Sequence, residues 1–191
     1  MMNLRLLPIL LGVLMPLAMA DDLTIAARAT ASDLIQQLGA VLKKEMAAGG
    51  PDNAIAICRD TAPALAGELS RKTGGRVSRV SLKTRNPLLG QPDAWEQEVL
   101  AEFDRQAAQG AKLETLERSE VVGEPQGRFF RYMKAIPVQP LCLTCHGTTD
   151  SIPDPVKARL AADYPHDRAT GYALGQIRGA VTIKRSMEDA R

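Results

Sequence analysis

The chain has 191 residues, with 24 lysines and arginines against 22 aspartates and glutamates and a formal net charge of +2. A balance this close to neutral lacks the basic footprint of a nucleic-acid binder. Hydrophobic residues make up 45% of the chain and aromatics 4%, which suits a globular domain with a core built mainly from aliphatic side chains.

At the N-terminus a lone Arg5 precedes an apolar run from Leu6 to Leu17, followed by Ala18-Met19-Ala20 and Asp21-Asp22. That is the pattern of a secretory signal peptide with an Ala-x-Ala cleavage site. Pro8 and Pro16 interrupt the run, and it is shorter than the roughly 20 apolar residues of a bilayer-spanning helix. The expectation is a cleaved leader over residues 1–20, then a single exported domain over 21–191 in the periplasm, with no membrane span in the mature form. Three cysteines are an odd number for an oxidising compartment, so one thiol needs a use other than disulfide pairing.

From Leu23 to Met46 the apolar positions Leu23, Ala27, Ala31, Leu34, Leu38 and Val41 recur with helical spacing, and Gly49-Gly50-Pro51 predicts where that helix stops. A second helix is predicted from Asp52, with Ile55, Cys58, Ala62, Leu65 and Leu69 on one face, which puts Cys58 inward. Pro63 cannot donate to the Arg59 carbonyl, so a kink or restart is expected one turn after Cys58. Pro92 reads as the first residue of a third helix with Trp95, Val99, Phe103 and Ala107 on its apolar side. Arg76 to Leu82 reads as a strand, Val121-Val122 and Arg128 to Val138 as a hairpin turning at Gln126-Gly127, Asp154 to Ala162 as a short helix, and Ile177 to Lys184 as the last strand. Helices and a small antiparallel sheet make an α+β domain.

The chemistry concentrates in Cys142-Leu143-Thr144-Cys145-His146. Two thiols at this spacing, with a histidine directly after the second, meet the requirement for thioether attachment of one c-type haem: the thiols reach the two vinyl groups and the imidazole reaches the iron. Export agrees with this, because such haem is attached outside the cytoplasm, and a large flat cofactor would supply core material to a chain with few aromatics. A thioredoxin-like pair would open a long helix in a βαβ unit, whereas Gly147 and a Thr-Asp-Ser-Ile-Pro loop follow here. A zinc site from Cys58, Cys142, Cys145 and a histidine lacks paired ligand spacing, and a disulfide between Cys142 and Cys145 leaves His146 unexplained.

With two thiols used as thioethers, Cys58 is either a second axial ligand facing His146 or a small buried core residue. Met133 and His166 are rival ligands. Arg79, Arg85 and Arg178 are candidates to hold the haem propionates, since a guanidinium suits a carboxylate.

Several separated blocks resemble a bacterial single-haem c-type family once described as a domain of unknown function. They are Ala54 to Pro63, Arg79 to Pro87, Pro92 to Glu96, Cys142 to Gly147, Tyr164-Pro165, Ala169 to Tyr172 and Arg178 to Ala180, spanning Asn53 to Ile183. The resemblance implies a PAS-like fold, with an antiparallel sheet and N-terminal helices around the haem. It also implies that the Cys58 sulfur binds iron opposite His146, with His166 a solvent-facing loop residue.

A thiolate favours ferric iron and lowers the reduction potential below that of a His/Met cytochrome. The function expected is redox or electron transfer with a separate redox partner protein. The alternative is sensing of redox state or of a small gas such as nitric oxide or carbon monoxide, passed to a separate signalling protein. An enzyme would need an open iron position and a distal acid or base, which a His/Cys pair does not offer.

Overall fold

The computed structural model describes residues 17–188; the apolar run up to Pro16, read above as part of a leader over residues 1–20, lies outside them. Helix α1 spans Leu17–Ala56. Before its kink the buried residues Ala27, Ala31 and Leu34 are among those picked out by the helical spacing. Gly50 takes φ 71° and ψ −169°, a left-handed φ that side chains disfavour, so α1 is two helical segments meeting at a kink. Pro51, with its preset φ, begins the second.

Beyond Ala56 the backbone widens into a π-turn, Ile57–Thr61, and continues as α2, Ala62–Thr73. The kink or restart expected one turn after Cys58 takes this form, with α2 beginning at Ala62 and Pro63 in its first turn. The missing N–H of Pro63 is accommodated by the wider turn, in which the Ala62 N–H bonds the Ile57 carbonyl. Cys58 sits inside this turn.

The remaining elements are β1 (Arg76–Val80), α3 (Pro87–Gly90), α4 (Ala94–Ala108), β2 (Glu117–Glu124), β3 (Gly127–Pro137), α5 (Leu143–His146), α6 (Asp154–Asp163) and β4 (Ile177–Ser186). Helix α4 starts two residues later than Pro92 because Asp93 caps it. The Asp93 carboxylate accepts from the Glu96 amide at 2.9 Å and the Glu96 carboxylate accepts from the Asp93 amide at 2.9 Å, a reciprocal cap. The hairpin turns at Pro125-Gln126, with Gly127 already in β3.

The four strands form one antiparallel sheet in the order β1-β4-β3-β2, so the last strand lies between the first and the third. This is the α+β class expected. Alternation along the strands sends Val77, Phe130, Tyr132, Val181 and Ile183 against α1 and α2. The opposite face turns Val80, Met133, Ala135 and Ala180 against Val99, Leu100 and Phe103 of α4. Among the described residues no helix is long and apolar enough to cross a membrane.

Where β4 meets β1, Gly179 has φ 157°, and a Cβ there would stand 2.3 Å from the Val80 carbonyl oxygen. Gly179→Ala is expected to cost about 1–3 kcal/mol through this overpacking. Thermal denaturation checks it, and an unchanged Tm would contradict the close approach.

Candidate functional site

The motif follows β3 through a 3-10 turn, Pro140–Cys142, into the single helical turn α5. The local fold is therefore helical, where the loop-like sequence around it gave poor support for a helix start. Pro140 sets the entry φ and Gly147, extended at ψ −168°, ends the turn. On such a turn Cys142 and Cys145, three apart, lie on neighbouring positions of one side.

Two small apolar clusters hold the turn. Cys145 packs on Ile55, Ile152, Val156, Leu160 and Tyr164, while Cys142 and Leu143 pack on Val138, Ala169 and Tyr172. Ile55 lies three residues before Cys58, so the first cluster draws the π-turn toward the motif. The electrostatics register this proximity: burial pushes the Cys145 thiol up, Arg85 opposes the rise, and Cys58 and Cys142 add to it. All three cysteines are free and partly buried.

His146 is held by main chain. Its Nδ1 lies 2.6 Å from the Ala169 carbonyl oxygen, which can only accept, so Nδ1 carries the proton and Nε2 presents its lone pair. The loop that supplies Ala169 is itself paired with the motif, the Gly171 amide donating to the Gly147 carbonyl at 2.7 Å and the Tyr172 amide to the His146 carbonyl at 2.9 Å. The Tyr172 ring meets the imidazole edge-on with centroids 6.2 Å apart. Burial holds the imidazole well below its ordinary pKa, and the cations Arg178 and Arg85 push it the same way. The ring is thus a neutral donor.

Three arginines surround it in different ways. Arg85 is buried and tied down: it pairs with Asp167 at 3.0 Å and donates to the Cys145 and Ala169 carbonyls. Arg178 donates to His146 Nε2 at 3.3 Å, to Ser81 Oγ at 2.9 Å and to the Lys83 carbonyl at 3.3 Å. Burial lowers its pKa, and repulsion from Arg85 and Arg79 adds to the effect. Arg79 is near enough to act on both His146 and Arg178. Of the three, among the described residues, only Arg85 has a carboxylate partner.

The sequence-chosen residues Cys58, Cys142, Cys145, His146, Arg79 and Arg178 therefore converge on one region. Met133 does not, because its strand position turns it into the α4-side core at 0% exposure. His166 is exposed in the turn after α6. Among the described residues no group of three or more His, Cys, Asp or Glu side chains could hold a metal ion, so the zinc alternative finds no cluster here. Sequence reading missed the tether made by Arg85 and Asp167, the Ala169 carbonyl, and the support from Tyr172 and Ser81. The signal available was that Arg85, Ala169 and Tyr172 all stand in the resembling blocks.

A neutral imidazole with a fixed tautomer, three thiols and two cations without counter-anions suit an anionic, metal-bearing cofactor. The comparisons point the same way. The family model described as Tll0287-like matches residues 19–186. The chain belongs to the Tll0287-like family. A solved structure, that of the cyanobacterial heme-protein Tll0287, is 25% identical with a TM-score of 0.60, and the match covers 82% of this chain and 92% of that one. No curated protein matches the chain.

The Arg85 tether generates a double-mutant expectation. Arg85→Met leaves the half-buried Asp167 without its cation and is expected to cost about 3 kcal/mol. Arg85→Met with Asp167→Asn should cost clearly less, since no lone charge remains. Urea unfolding of both checks it, and equal losses would show that the ion pair is not the cause.

Proposed function

We propose that this chain is an exported, periplasmic mono-haem c-type cytochrome that works in electron transfer, with haem c attached at Cys142 and Cys145 and with His146 and Cys58 as axial ligands. One observation carries the reading: a Cys-x-x-Cys-His turn holds a neutral, oriented histidine, and Cys58, 84 positions upstream of Cys142, stands three residues after Ile55, which packs on Cys145. Family membership and the likeness to a haem protein support it.

A bound haem supplies a one-electron iron couple. The protein's own groups determine how that couple behaves. The Ala169 carbonyl keeps the proton on Nδ1 and raises the donor strength of Nε2. Arg178, now donating to Nε2 and Ser81, and Arg79 are the cations positioned to receive two propionates. Cys58 contributes an anionic donor, which favours the ferric state and sets a low potential. A His/Cys-ligated iron would offer no open position for turnover chemistry, so we read the protein as a carrier and not an enzyme.

Covalent attachment is tested on the exported protein from cells competent in cytochrome maturation. After extraction with acidified organic solvent, the pigment is expected to stay with the polypeptide, and to wash out of a Cys142→Ala, Cys145→Ala double variant. Pigment lost from the unsubstituted chain would sink the reading. Cys58→Met is expected to raise the reduction potential by on the order of 100 mV or more, measured by spectroelectrochemistry; an unaltered potential and spectrum would remove Cys58 from the ligand set.

A second reading, gas or redox sensing through a separate signalling protein, has the π-turn in its favour. Such turns are common at functional sites, and their wider hydrogen bonding places Cys58 on backbone that departs from regular helix. Carbon monoxide added to the reduced protein separates the two. Shifted absorption bands favour sensing and unshifted bands favour electron transfer.

A further inference from the structure

Residues 82–89 form a short loop whose ends are joined by a hydrogen bond from the Ser81 amide to the Gly90 carbonyl at 3.1 Å. Its inward side is firmly anchored. Thr84 and Arg85 are buried, the Thr84 carbonyl accepts from the Arg168 amide at 2.8 Å, and Arg85 reaches the Cys145 carbonyl. Its outward side is apolar: Leu82, Leu88 and Leu89 are 42%, 92% and 53% exposed. The Asn86 side chain, accepting from the Leu88 amide at 3.0 Å, caps α3 and so keeps the two later leucines turned to water.

Beside the loop lies a groove of about 460 Å³, walled by Leu82, Leu100, Ala107 and Ile177. Leu174, 57% exposed, adjoins Gly175 at its edge. Isolated exposed leucines need no explanation, but three on one anchored loop, of which Leu82 also lines a groove that carries the polar Ser81 and Asp104 beside its apolar wall, mark an interaction surface.

Charge decides what kind of partner fits. Lys83 and Arg168 are exposed on this side, while the carboxylate of Asp167 is already neutralised by Arg85. Asp104, on the α4 wall of the groove, lies within reach of Lys83, which partly offsets it. The face is an apolar centre with a cationic flank, and its complement is an apolar projection ringed by carboxylates.

We propose that this end of the molecule is the docking face for an acidic redox protein, one apolar side chain of which enters the groove while its carboxylates meet Lys83 and Arg168. The proposal rests on the electron-transfer reading above. It places the partner one side chain, Arg85, from the peptide that carries Cys145. Small interfaces of this kind suit transient redox encounters, and opposite charge speeds the encounter more than it tightens the complex.

The test uses the full exported chain and a small acidic flavodoxin as the probe. Stopped-flow reduction by reduced flavodoxin is expected to slow about tenfold in Leu88→Asp, Leu89→Asp and in Lys83→Glu, Arg168→Glu, and to slow with added salt in the unsubstituted chain. Reduction by dithionite and the absorption spectrum should not change in either variant. Unchanged flavodoxin rates in both variants, or an altered haem spectrum in the leucine variant, would overturn the docking face. So would loss of binding to anionic lipid vesicles in the same variants, which would assign the face to a membrane. Amide shifts in the isotope-labelled chain on adding flavodoxin are expected over 82–90 and 168–176, and shifts confined elsewhere would likewise overturn it. A colourless sample that still shows those shifts would sink the cytochrome reading alone.

Discussion

The Ala169 carbonyl oxygen accepts from Nδ1 of His146 at 2.6 Å, and most of the site depends on that contact. It commits the imidazole to one tautomer, leaves Nε2 as a lone-pair donor, and fixes the ring plane against the Tyr172 edge. The bond is dependable because the carbonyl is not on a free loop. Residues 171 and 172 pair with 147 and 146 through two further backbone hydrogen bonds, so the histidine and the chain that orients it form one unit. Arg85 extends the unit by bridging Asp167 and the Cys145 carbonyl.

Around this neutral ring the protein gathers positive charge. Burial disfavours the charge on Arg178, and the nearby Arg85 and Arg79 add to the effect, an arrangement that costs free energy. Bringing like charges together without a carboxylate makes sense where an anionic ligand completes the set. The same cations that make protonation of His146 unfavourable would hold the acidic edge of a cofactor, so the tautomer and the charge pattern serve one end.

Much of the fold was legible as pattern. The spacing of Ala27, Ala31 and Leu34 marked the buried face of α1, Gly50 marked its kink, and alternation marked β4, because these features are set within a few residues by backbone sterics and periodicity. What it left open came down to local contests between rules. At Pro63 a kink or restart was expected without its form, and the form is a π-turn leading into α2. Pro92 yielded the helix start to Asp93, because a carboxylate that accepts from the third amide outbids a preset φ. The α5 turn went unseen because a four-residue helix has too few positions to show a period.

The Cys-x-x-Cys-His stretch, the pattern that suggests haem attachment, stands in five consecutive residues and was legible from the sequence alone. So was the candidate status of Cys58, since helical spacing turned it inward and the thioether reading of the other two cysteines left it spare. Which of Cys58, Met133 and His166 stands near the motif was decided only by the tertiary structure. Strand parity sends Met133 into the core on the far face of the sheet, the turn after α6 leaves His166 in water, and the packing of Ile55 on Cys145 draws Cys58 in. Contacts between residues more than eighty positions apart leave no local trace in a sequence, because burial against a distant element looks the same as burial against a near one.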